Sequence, residues 1–158
     1  MPRKYKPVPD YFQRTDPRHN SRVVMRFVNS LMYDGNKATA MKVFYRAMAS
    51  IKEKVADREP LDVFLQAVEN VKPRIETKSR RVGGATYQVP VQVRPKRQIS
   101  LAMKWILGAA RSKKGRPIHQ RLADELVAAF RNEGESVKKR DDTHKMAESN
   151  RAFAHLAY

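Results

Sequence analysis

Apolar residues recur at helical spacing through most of this chain. Val24, Phe27, Val28 and Leu31 fall at i, i+3, i+4 and i+7, the stripe that one face of a helix turns toward a core. Ser21 stands where an N-cap belongs and Gly35 where a helix would stop. A second helix is predicted from about Asn36 to Ala56, with Ala40, Phe44, Ala47, Ile51 and Val55 on one side. Pro60 suits the first turn of a third, where a missing N–H costs nothing. Leu61, Phe64, Leu65 and Val68 form its stripe, and Pro73 ends it. Beyond position 98, Ile99, Ala102, Met103, Ile106 and Ala110 mark a fourth helix. Pro117 opens a fifth, lined by Ile118, Leu122, Leu126 and Phe130 and closed by Gly134. Ser136 is placed to cap a sixth beginning near Val137, in which only Val137, Met146 and Ala147 are plainly apolar.

Between the third and fourth helices the period changes from 3.6 to 2. Ile75-Thr77-Ser79 and Tyr87-Val89-Val91-Val93 alternate on either side of Val82-Gly83-Gly84. Glycine takes the positive φ that a tight strand reversal requires, so the pattern predicts a hairpin. Two strands of eight or nine residues at ~3.3 Å each reach about 25–30 Å. The predicted fold is therefore mainly α: about six helices with a protruding two-stranded antiparallel β-ribbon between the third and fourth. Residues 1–18, with Pro2, Pro7, Pro9 and Pro17 among basic residues, lack both helix propensity and apolar anchors. They are expected to form an extended arm, and residues 19–158 a single helical domain with the ribbon inserted at about 72–93.

Charge gives this ribbon a purpose. The net charge is +17, far more than solubility needs, and such an excess draws polyanions. It is also segregated. Residues 72–121 hold fourteen bases and one acid, Glu76, whereas residues 27–71 are balanced at six of each. Lys72, Arg74, Lys78, Arg80, Arg81, Arg94, Lys96 and Arg97 all belong to the ribbon or its base. Protecting a sheet edge against aggregation takes one or two charges; eight point to nucleic-acid phosphates. Ser112-Lys113-Lys114-Gly115-Arg116 joins two helices beside a helix N-terminus, where free N–H groups favour phosphate. Asp34-Gly35-Asn36-Lys37 is a similar helix-to-helix junction with one basic residue, Lys37, and by itself reads as a plain turn.

Other chemistry finds little support. Cysteine is absent, which removes thiol nucleophiles and zinc fingers and suits a reduced cytosol. His19, His119, His144 and His155 show no metal-ligand spacing. Asp141 and His144 stand at i and i+3 but have no nucleophile, and Gly83-Gly84-Ala85 is not a phosphate loop. Lys138-Lys139-Arg140-Asp141-Asp142 is expected to be a solvated helical face. The opening MPRKYKPVPDYFQR has no hydrophobic segment and is not expected to act as a secretory signal. No enzyme activity, cofactor, metal, membrane association or homo-oligomer is expected, and the expected location is the cytoplasm.

The residues Asn70 to Val91, NVKPRIETKSRRVGGATYQVPV, resemble the hairpin of the bacterial small-subunit ribosomal protein seven family. The likeness runs the length of the chain. It takes in Met1-Pro2-Arg3-Lys4, Asp34-Gly35 with Lys37-Ala38, Phe44-Tyr45, Trp105, and Ser136-Val137-Lys138-Lys139-Arg140 through Met146-Ala147-Glu148. The resemblance implies a non-catalytic constituent of the small subunit. It would bind the three-prime major (head) domain of the ribosomal RNA early in assembly, beside exit-site transfer RNA, the messenger exit path and protein eleven. Implied ribosomal RNA contacts are the arm, with Arg3, Lys4 and Lys6, then Arg74, Lys78, Arg80 and Arg81 on the ribbon, and Lys113, Lys114 and Arg116; Lys37, Lys72, Arg94, Lys96 and Arg97 join them as expected contacts on their charge. Arg80, Arg81, Val82, Gly83 and Gly84 would form a tip near transfer RNA. The chain departs from the family pattern at Asn36, usually basic, and at Gln92, often Glu. A ribbon-type DNA-binding nucleoid or regulatory protein is the alternative. It would normally dimerise to match two half-sites, and no apolar stripe is left over for a dimer.

Overall fold

The computed structural model describes residues 15–157. Packing divides the chain into two compact units, Met1–Lys42 and Val43–Tyr158. In the first, Asp16 organises a turn. Its Oδ2 accepts the N–H groups of Arg18 (3.1 Å) and His19 (2.9 Å), and its C=O accepts that of Asn20 (2.8 Å). Residues 15–18, expected within an extended arm, thus close on themselves. Proline denies them a helix, and the Asp16 carboxylate offers the backbone a local partner instead. α1 (Arg22–Leu31) starts from Ser21, whose Oγ accepts the Val24 N–H, and buries Val24, Met25, Phe27, Val28 and Leu31. It stops at Leu31, short of Gly35. Asp34 and Gly35 both take positive φ (+49° and +74°) and build the turn into α2 (Lys37–Lys54).

In the second unit α2 buries Phe44, Ala47, Met48 and Ile51, and the Phe44 ring meets Phe64 edge-on at 5.4 Å. α3 (Pro60–Val71) begins at Pro60 as predicted, but its buried face is Val63, Phe64, Ala67, Val68 and Val71. Leu65 is exposed and Leu61 half-buried. Phe64 and Val68 are common to both stripes, so spacing alone did not choose between them; packing rotated the helix toward the smaller side chains. α3 packs with α4 (Pro95–Ser112), α5 (Ile118–Phe130) and α6 (Glu135–Ser149). Phe64, Met103, Ile106, Leu122 and Leu126 lie fully buried among them.

The α5–α6 junction departs from expectation at two residues. α5 ends at Phe130, because Asn132 (φ +61°) takes the left-handed position that terminates it. The Asn132 N–H reaches Ala129 O (3.1 Å) and the Glu133 N–H reaches Ala128 O (2.8 Å), the paired bonds of a Schellman motif. Gly134 (φ +96°) instead precedes α6 as its N-cap residue. Ser136, expected in that role, is buried inside the first turn and donates its N–H (2.9 Å) and Oγ (2.8 Å) to Glu125 Oε1. A carboxylate from α5 thus serves one of the free N–H groups that a capping side chain would otherwise take.

β1 (Ile75–Val82) and β2 (Ala85–Gln92) form the predicted antiparallel ribbon between α3 and α4, in register from Ile75↔Gln92 to Val82↔Ala85. The loop is only Gly83-Gly84, with φ of +57° and +90°, as a two-residue type I′ turn requires. Val82, expected in the turn, is the last residue of β1. This register places Glu76, Lys78 and Arg80 on one face with Tyr87, Val89 and Val91, and Ile75, Thr77 and Ser79 on the other with Gln88, Pro90 and Gln92. The buried position of β1 is the charged Glu76. After α6 a 3-10 helix, Arg151–Ala157, turns back along β2. Among the described residues no helix is long and apolar enough to cross a membrane.

Candidate nucleic-acid interface

Arg74, Lys78, Arg80, Arg81, Arg94, Lys96 and Arg97 are all exposed along the ribbon and at its base. At the base, Glu76 gathers Arg97, whose Nε lies 2.8 and 2.9 Å from the two carboxylate oxygens, and Lys78, with Nζ at 3.6 Å. Arg94 is the N-cap residue of α4 and Lys96 and Arg97 lie in its first turn, which carries no acid of its own. Cations at the positive end of a helix dipole are unfavourable. Glu76, reaching over from β1, offsets that charge. Lys72 caps the C-terminus of α3 and pairs with Glu69. From Ser79 to Thr86 both strands and the turn are exposed, so Arg80, Arg81, Val82, Gly83 and Gly84 stand on the open part of the ribbon.

α6 and the 3-10 helix support this ribbon in ways not evident from the sequence. The Arg74 N–H donates to His144 Nε2 at 2.9 Å, and Thr77 Oγ1 to Met146 Sδ at 3.5 Å. Arg80 Nη1 donates to the Leu156 carbonyl at 2.9 Å, and the Tyr87 and Phe153 rings lie 5.2 Å apart. An accepting Nε2 requires a neutral ring with its proton on Nδ1. Burial holds the His144 pKa below its ordinary 6.5; the Arg140 guanidinium adds to this, Asp141 opposes it and Arg74 lowers it further. Arg140, expected on a solvated face, donates to the Asn70 carbonyl at the end of α3 and pairs with Asp141.

The α4–α5 loop is a second basic surface. Lys113 is the C-cap residue of α4, and Gly115 turns with φ +87°. Lys113 Nζ sits 2.8 Å from Oε2 of the fully buried Glu125 while the Lys113 stem stays exposed, as does Lys114. Arg116, also exposed, lies 3.6 Å from Asp124, which takes Lys54 as well. Lys37 is the first residue of α2 in the Met1–Lys42 unit, its N–H bonded to Gly35 O at 2.8 Å. Arg3, Lys4 and Lys6 lie outside the described residues. The structure thus brings Lys72, Arg74, Lys78, Arg94, Lys96 and Arg97 together at the ribbon base and gathers Lys113, Lys114 and Arg116 on one loop. Glu125, His144, Arg140 and Phe153 were missed. Of these only Glu125 carried a signal, a carboxylate on the buried stripe of α5 between Leu122 and Leu126. Among the described residues no cluster of His, Cys, Asp or Glu fits a metal ion.

A helical domain with a cationic ribbon and an adjacent basic loop defines a protein built to face polyanions. The model of the family described as Ribosomal protein S7p/S5e matches residues 2–151, and the chain belongs to that family. It is similar to the small ribosomal subunit protein uS7 of Nitratidesulfovibrio vulgaris, 53% identical over 158 residues and covering 100% of both chains. The proteins of the same name from Thermotoga petrophila (54% over 143 residues) and Rhodopirellula baltica (54% over 144) each align with 90% of this chain and 92% of their own. Membership makes this a ribosomal protein of the small subunit.

Proposed function

We propose that this protein binds small-subunit ribosomal RNA directly, in the three-prime major (head) domain, and acts early in head assembly as a structural, non-catalytic part of the cytoplasmic ribosome. The observation that carries this reading is the ribbon, whose cations stay exposed from its base to its tip around one buried carboxylate, Glu76. Lys72, Arg74, Lys78, Arg94, Lys96 and Arg97 supply the contacts around its base, joined by Lys37, Lys114, Arg116 and the arm residues Arg3, Lys4 and Lys6. Lys113 takes part through the geometry it fixes, since its ammonium is bound to the fully buried Glu125. Arg80, Arg81, Val82, Gly83 and Gly84 face exit-site transfer RNA and the messenger exit path, and protein eleven is among the neighbours. Folded RNA presents phosphates in several directions, which suits basic surfaces spread over a ribbon and a loop.

Chemical footprinting of the isolated protein on small-subunit ribosomal RNA tests this reading. Protection confined to the head domain is expected. Affinity is expected to fall steeply with salt, with a log–log slope of roughly −0.7 per phosphate neutralised. Protection elsewhere, a flat salt dependence, or preference for duplex DNA would overturn it.

A further inference from the structure

Asp124 and Glu125 are consecutive on α5, and each holds one end of the same basic loop. Glu125 is fully buried and receives Lys113 Nζ at 2.8 Å, the Lys113 side chain being 41% exposed, together with the N–H and hydroxyl of Ser136. Asp124 is about one-third exposed and meets Arg116 at 3.6 Å, with the Arg116 side chain itself 70% exposed. Between these anchors lie Lys114 and Gly115. The two tethers differ in kind. A buried carboxylate is costly unless it keeps its charged partner, so Lys113 cannot leave Glu125 for a phosphate without stranding a charge in the core. The Arg116 pair is solvated and loose, a contact of little net worth, and it exchanges readily for a phosphate.

We infer that Glu125 and Lys113 are positioning residues. They fix the start of the 113–116 loop to α6 so that Lys114 and Arg116, and not Lys113, meet RNA phosphates. Glu125 also seats the first turn of α6, the helix whose His144 holds the ribbon base, so one carboxylate sets both basic surfaces. This inference rests on the ribosomal RNA reading and divides the loop's cations by role.

The test uses the full-length protein and a fragment carrying the head domain of small-subunit ribosomal RNA, with affinity measured across a salt series. Lys114→Ala and Arg116→Ala should each reduce the slope by roughly 0.7. Lys113→Ala should weaken binding without changing the slope. The double variant Glu125→Gln/Lys113→Gln removes both charges, keeps hydrogen-bonding groups, and bypasses any folding defect of the single change. Its slope should match the wild-type slope, and its affinity should stay within about threefold, below the tenfold that 1.4 kcal/mol represents. A slope reduced in the double variant as much as in Lys114→Ala makes Lys113 a phosphate contact and overturns the inference. A flat wild-type slope would instead remove the RNA reading itself.

Discussion

Arg97, in the first turn of α4, holds Glu76 of β1 through one Nε placed 2.8 and 2.9 Å from its two oxygens. Glu76 is the only acid between positions 72 and 121, and it is 8% exposed. In so cationic a stretch a carboxylate serves as the rivet between ribbon and body. Arg97→Ala leaves Glu76 with Lys78 alone at 3.6 Å. The expected loss is ~1–3 kcal/mol of stability, the cost of an under-satisfied buried acceptor. Thermal unfolding measures it, and Glu76→Gln/Arg97→Gln should lose less than Arg97→Ala. An equal or greater loss in the double variant would rule out this account.

Gly134 is expected to be the least replaceable glycine. Its φ of +96° and ψ of +171° lie in a region essentially reserved for glycine, which costs a residue with a Cβ on the order of 1–3 kcal/mol. An added Cβ would also stand 2.9 Å from Glu125 Oε1. At Gly115 the φ is +87° but the surrounding space is open. Gly134→Ala should therefore lower the denaturation midpoint more than Gly115→Ala. Equal midpoints would show that the Glu125 carboxylate moves aside freely.

Acid should loosen the ribbon base. The pKa of His144 is lowered in the folded protein, so the unfolded chain takes up a proton first as pH falls. The resulting stability is fully present above 6.5, the unfolded value, and is lost as pH falls through the lowered folded value. Protonation also removes the acceptor for the Arg74 N–H. Denaturant unfolding at pH 7 and pH 5 measures the loss, and His144→Gln, which keeps an acceptor without titrating, should reduce it. An unchanged pH dependence in that variant would exonerate His144.

Base and tip of the ribbon should separate in the assembled subunit. Lys72, Arg74, Lys96 and Arg97 together replaced by alanine should lower occupancy in purified small subunits. Trimming Arg80–Ala85 to a short turn should leave occupancy largely intact and alter retention of exit-site transfer RNA. The reverse pattern would refute the division of roles.

Much of this architecture was legible in the residues. The stripe Val24, Phe27, Val28 and Leu31 is buried as a unit, and the Gly83-Gly84 pair marked the hairpin because glycine takes the positive φ of a tight strand reversal without a Cβ penalty. The helix boundaries read from glycine were less secure. Gly35 and Gly134 lie beyond the ends of α1 and α5, since Met32 leaves α1 in extended backbone and Asn132 takes the left-handed φ that ends α5. The supports of the ribbon were illegible because they are long-range. Nothing around Phe153 announces Tyr87, and Glu125 meets Ser136 only once two helices have folded against each other. Charge density revealed the basic surfaces. It did not reveal that Lys113 and Arg97 are occupied within the protein.

The Gly83-Gly84 loop has a consequence for the order of events as the chain is made. A hairpin closed by two residues can pair within about 1–10 μs of emerging, yet an isolated two-stranded hairpin is at best marginal in water, and this one is crowded with like charge. Its outlying supports at His144, Met146 and Leu156 stand 70, 69 and 76 positions beyond their ribbon partners. At ~5–20 residues per second, the nascent ribbon waits several seconds for them, opening and closing meanwhile. Pulse-labelled amide exchange on arrested chains should find β1 unprotected until α6 has emerged; protection in a chain halted near Phe130 would show that the hairpin stands unaided. The ribbon proposed to face nucleic acid thus emerges midway through the chain, after three helices, and is among the last parts to hold still.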